Sequence, residues 1–94
     1  MTLTEEQKLA LELLTEEAAE VIHIKAKIIR FGLHDNYKKL NKGTNKERLE
    51  EEIGHFKAAV QELVDLKMIS PRNVEKKMME KEVDWMEKEN VAKC

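Results

Sequence analysis

Apolar residues recur along the chain at intervals of three and four rather than two, the spacing that gathers them on one face of an α-helix. Three such stretches are bracketed by their own start and stop signals. The first opens at Thr4-Glu5-Glu6-Gln7, where the threonine hydroxyl and the glutamine side chain are spaced to satisfy each other's backbone amides. Its apolar series is Leu11, Leu14, Ala18, Val21 and Ile28, and it stops at Gly32, a residue free to take the left-handed conformation that ends helices. The polar stretch between Leu33 and Gly43 has no sustained period and is expected to be a loop. Thr44-Asn45-Lys46-Glu47 repeats the start signal, followed by Leu49, Ile53, Phe56, Val60 and Leu63 at helical spacing. Ser70-Pro71 opens a third helix, since proline loses nothing at a first helical position. That helix carries two narrow apolar stripes, Val74/Met78/Trp85 and Met79/Val83/Met86. The expectation is an all-α fold forming a single domain over residues 1–94, a helical hairpin plus a third helix, with helices at about 4–31, 45–68 and 71–90.

Composition narrows the function classes. The chain has 94 residues, 38% of them charged, with three Gly and one Pro, a mixture suited to long amphipathic helices rather than a β-sandwich. A chain this short buries only about two thirds of its unfolded surface, so self-association is expected. The net charge of −2 argues against a domain held to nucleic acid by phosphate contacts. No apolar run approaches the roughly 18 residues of a membrane span. The acidic start MTLTEEQK is unlike a secretory leader. The single cysteine, Cys94, forms no internal disulfide, and the expected location is cytoplasmic.

Acids stand where a helix should be apolar. On a wheel of the first helix, the apolar arc runs through Leu11, Leu14, Ala18, Val21, Ile22, Ile28 and Ile29, with Glu17 at its edge and Glu20 one turn on. Leu13 and Ile24 share the sector of these two glutamates, while Glu16 and His23 point to the opposite side. On the second helix Glu52 falls inside the apolar arc and His55 lies at its rim. Burying carboxylates without partners costs several kcal/mol each. Two arrangements remove that cost: a hard divalent cation collecting the oxygens, or pairing with Lys25, Arg48 or His55.

The same residues carry a family resemblance. Glu16-Glu17-Ala18-Ala19-Glu20, then Lys25 and Arg30-Phe31-Gly32, then Leu49-Glu50-Glu51-Glu52-Ile53-Gly54-His55 resemble the all-α nucleoside triphosphate pyrophosphohydrolases of the MazG type, with their EExxE and ElGD motifs. The small phage-borne and bacterial members are the most similar, over about Leu9 to Lys88. The resemblance implies a homodimer or dimer of dimers that completes a four-helix-type bundle. It implies magnesium-dependent cleavage of an NTP or dNTP to NMP and pyrophosphate in nucleotide-pool control. Carried over by position, Glu17, Glu20 and Glu52 are catalytic metal ligands with His55 as the fourth ligand, and Lys25 and Arg30 neutralise the triphosphate.

His55 departs from the family pattern, which has Asp there. Three consequences stay open: an altered site that accepts Mn²⁺ or recruits Glu51 or Glu62, a structural imidazole in a catalytically silent relative that serves as a helical interaction or regulatory module, or a histidine pointing away. Other residues have competing readings. Lys25 either meets phosphate or pairs with a glutamate across a dimer. Phe31 and Tyr37 stack on a base or pack. The methionines with Trp85 read as packing or dimer contact. His23 and His34 read as surface groups, and Lys38, Lys39 and Lys42 as a solvated loop or a lure for triphosphate.

Overall fold

The computed structural model describes residues 2–36 and 43–93, with side chains as far as residue 89. Three helices follow in order: α1 (Glu5–Phe31), α2 (Asn45–Asp65) and α3 (Pro71–Lys93). No strand occurs among the described residues.

Local chemistry sets each boundary. The Thr4 amide donates to Gln7 Oε1 at 2.9 Å while the Gln7 amide donates to Thr4 Oγ1 at 3.1 Å, closing the capping box of α1. Gly32, at φ 93°, ends that helix by donating its amide to the Ile28 carbonyl. Thr44 and Glu47 form the second capping box. Hydrogen bonds from Thr44 hold the Glu47 carboxyl below the ordinary glutamate range. This cap therefore stabilises α2 above that range and weakens as pH falls through it. At α3, the Asn73 amide donates to Ser70 Oγ at 3.2 Å, with Pro71 in the first turn.

The end of α2 differs from the periodic reading. The helix stops at Asp65, because Met68 N–H donates back to the Leu63 carbonyl and Lys67 N–H to the Val64 carbonyl, both at 2.9 Å. This is a Schellman turn, and its left-handed position is held by Lys67 at φ 59° instead of glycine.

Helices α1 and α2 pack as an antiparallel hairpin, whereas α3 meets the hairpin only at isolated points. Among the described residues the buried apolar side chains are Ala10, Ile24, Ala59 and Leu63. Ile24, placed by the wheel in the glutamate sector, is thus at the centre of the seam. Ile22 and Ile29, placed in the apolar arc, are exposed, the latter 74%. The seam is rotated from the middle of the apolar arc of α1 by roughly a quarter of a turn.

Asn45 ties the hairpin together. It is 1% exposed, its Nδ2 donates to the Gly32 carbonyl at 3.0 Å, and its amide donates to the Asp35 carbonyl at 2.9 Å. Replacing it by alanine strands the Gly32 carbonyl, so Asn45→Ala is expected to lower unfolding stability by about 1–2 kcal/mol in urea titration. Lys67→Gly relieves the left-handed strain and is expected to raise it by about 1 kcal/mol in the same assay.

Candidate metal centre

The rotation of the seam brings acids inward. Glu17 lies on the side of α1 that also holds Ala10 and Ile24, and Glu52 on the side of α2 that also holds Asn45, Ala59 and Leu63. The small side chain at Ala59 lets the two helices approach beside them. Among the described residues, Glu17, Glu52 and His55 form the one group of three whose ligand atoms all lie within 4.8 Å of one another. His55 Nδ1 is 3.7 Å from Glu17 Oε2 and 3.9 Å from Glu52 Oε2. Its Nε2 lies 3.9 Å from Glu51 Oε1.

Burial grades across the group. The side chains are 26% exposed at Glu17, 19% at Glu52 and 53% at His55, so the carboxylates sit part-way into the seam and the imidazole closes its outer edge. An open cleft of about 380 Å³ adjoins them, lined by Leu13, Glu17, His55, Ala58, Ala59 and Glu62. Two carboxylates and one imidazole nitrogen make a mixed oxygen–nitrogen donor set. Magnesium is served by the oxygens alone, whereas manganese accepts the nitrogen as well.

The remaining candidates are placed elsewhere. Glu20 is exposed and stands outside the group of three. Lys25 lines a different, apolar groove with Val21, Ile22, Ile28 and Leu49. Arg30 lies over the Phe31 ring at 5.2 Å. Along the axis of α1 these two cations are about 12 and 20 Å from Glu17, and neither lines the cleft. His23 and His34 are exposed. Tyr37, Lys38, Lys39, Lys42 and Cys94 lie outside the described residues. Glu62 was available to sequence reasoning only as a reserve acid; its position two turns beyond His55 on α2 puts it in the same cleft.

Compared with family models, curated proteins and solved structures, the chain matches none. The resemblance of its two motifs therefore stands on the residues themselves.

The geometry has a sign that can be measured. Ionised oxygens within 4.8 Å of each other repel by about 1 kcal/mol where water screens them. In chelator at neutral pH, Glu17→Gln is expected to raise the melting temperature and, with millimolar Mn²⁺, to lose the cation-induced rise of the parent chain. A drop in chelator would instead identify protonated His55 as the charge that balances the acids.

Proposed function

We propose that the chain binds a divalent cation through Glu17 and Glu52, completed by His55, and hydrolyses a nucleoside triphosphate to the monophosphate and pyrophosphate. The observation that carries the reading is the convergence of two half-buried carboxylates from different helices with one imidazole beside an open cleft. Its chemical interpretation comes from the resemblance of Glu16–Glu20 and Leu49–His55 to the MazG-type motifs. Mg²⁺ is the cation of that family, and the nitrogen of His55 favours Mn²⁺ here.

When bound, the ion supplies charge for the triphosphate and acidifies the attacking water. Glu17 on α1 and Glu52 on α2 would hold it, with His55 completing the set. Water adds at the α-phosphorus, the bond to the bridging oxygen of the β-phosphate breaks, and pyrophosphate leaves. Glu62 is the cleft acid available to accept the water's proton. Lys25 and Arg30, assigned by the resemblance to the triphosphate, line no part of this cleft, so the cleft's own residues carry the proposal. Glu20 supports the ion only by a rotamer change, since its side chain is exposed. Association of two copies into a four-helix-type bundle belongs to the same proposal, as does action on a cellular or phage nucleotide pool in the cytoplasm.

A second reading is favoured by one observation. His55 stands within 4.0 Å of carboxylate oxygens from three different glutamates, so a protonated imidazole would balance them without a metal. In that case the chain is a non-catalytic helical interaction module. Binding of Mg²⁺ or Mn²⁺ at ten times its Kd adds about 1.4 kcal/mol of stability, or about 6–11 °C in melting temperature for a chain of this size. The module shows no such shift.

Activity provides the direct test. Purified chain with millimolar Mn²⁺ is expected to release pyrophosphate from a mixture of NTPs and dNTPs, and Glu52→Gln to lower that rate at least about 100-fold. His55→Asp exchanges the nitrogen for a carboxylate and is expected to raise Mg²⁺-supported release. Absence of pyrophosphate with both metals, for both parent and His55→Asp, defeats the hydrolase reading.

A further inference from the structure

The single chain leaves far more surface open than its mass predicts. A compact monomer of 11.0 kDa exposes about 5,600 Å², whereas this chain exposes 7982 Å². The excess is about 2,400 Å². Its radius of gyration of 16.9 Å also exceeds the roughly 12 Å of a compact domain of this length. Extents of 45 × 44 × 16 Å describe a flat molecule with a projecting arm.

The open surface is apolar in two separated places. On the outer side of α1 and the start of α2, Val21, Ile22, Ile28, Ile29, Leu33 and Leu49 line a groove of about 300 Å³ with Lys25 among them. Along α3, Val74, Met78, Met79, Val83, Trp85 and Met86 are all exposed. The Met79/Val83/Met86 stripe spans about 10 Å of helix and the α1 groove residues about 12 Å, so these surfaces are commensurate.

We infer that α3 is an exchanged arm: the Met79/Val83 side of one protomer seats in the Val21–Leu49 groove of a second copy, and the second copy returns the contact. Three observations favour a second copy over a foreign partner. Each chain carries both halves of the contact and does not bring them together itself. A two-fold pairing uses both halves twice and leaves neither open. The excess of about 2,400 Å² per chain falls within the range that obligate homodimers bury, about 1,000–2,500 Å² per protomer, and the small core of Ala10, Ile24, Ala59 and Leu63 gives the isolated chain little else to fold around. The groove and the carboxylate cleft have separate linings, so the inference goes beyond the cation site and does not rest on it.

The test uses complementation in the full chain, in chelator, followed by sedimentation velocity. The parent is expected to sediment at twice 11.0 kDa. One variant carries Ile22→Lys and Ile29→Lys in the groove, the other Met79→Glu and Val83→Glu on the arm. All four positions are exposed in the single chain, so the substitutions spare the hairpin seam, and far-UV circular dichroism checks that. Each variant alone is expected to dissociate at least about 100-fold more readily, through unpaired charge in an apolar seat. An equimolar mixture is expected to return to the dimer, because the mixed pair retains one unaltered groove–arm seat and gains a Lys–Glu pairing in the other. A mixture that stays monomeric overturns the exchange, whether arms pair with arms or α3 closes on its own hairpin. A parent that is monomeric at all concentrations overturns it too, and leaves the cation site standing.

Discussion

The rotational setting of α1 against α2 governs everything else in this molecule. A helix wheel rewards the setting that buries the most apolar arc, and the observed seam is turned away from it by roughly a quarter of a turn. Local ties accompany that choice. Asn45 holds the end of α1 to the start of α2 through the Gly32 and Asp35 carbonyls, and Lys46 adds a bond to the Leu33 carbonyl. The small side chains of Ala10 and Ala59 are buried in the seam. Two consequences follow together: carboxylates enter the seam, and Ile22 and Ile29 leave it.

Both are costly for a lone, unliganded chain. Like charges within 4.8 Å oppose the hairpin unless a cation or a protonated imidazole stands between them. Exposed Ile22 and Ile29 forgo burial worth about 1.5–3 kcal/mol per large side chain. A fold that retains two such penalties is explained if each is relieved by something bound, one by positive charge in the cleft and the other by apolar surface on the groove. The separate linings of cleft and groove allow the two to be relieved independently.

His55 shows how burial and chemistry interlock. At 53% exposed it stands at the mouth of the seam, where it reaches Glu17 across the hairpin and Glu51 and Glu52 along its own helix. An aspartate there would add a third negative charge to an already acidic group and bind Mg²⁺ with oxygen alone. The imidazole softens the donor set and lowers its charge, which moves the preference toward Mn²⁺ or toward no metal at all.

Helix identity, the three helix starts and the end of α1 were determined by the sequence alone. Capping boxes at Thr4 and Thr44, the glycine stop at Gly32 and the Ser70-Pro71 start are built from groups within four residues of each other, so their hydrogen bonds form wherever the chain goes. The anomaly of Glu17 and Glu52 among apolar neighbours was equally legible, because it is a property of one helix at a time. The Schellman turn was not: Lys67 carries none of the glycine signal that marks a left-handed position. Tertiary structure alone decided which part of a broad apolar arc faces the seam, and with it that Ile24 is buried while Ile22 is exposed. It also separated Glu20, Lys25 and Arg30 from the carboxylate pair and turned α3 away from its own hairpin. These are joint properties of two surfaces, settled by how side chains from both fit at once, and no periodicity within a single helix contains them.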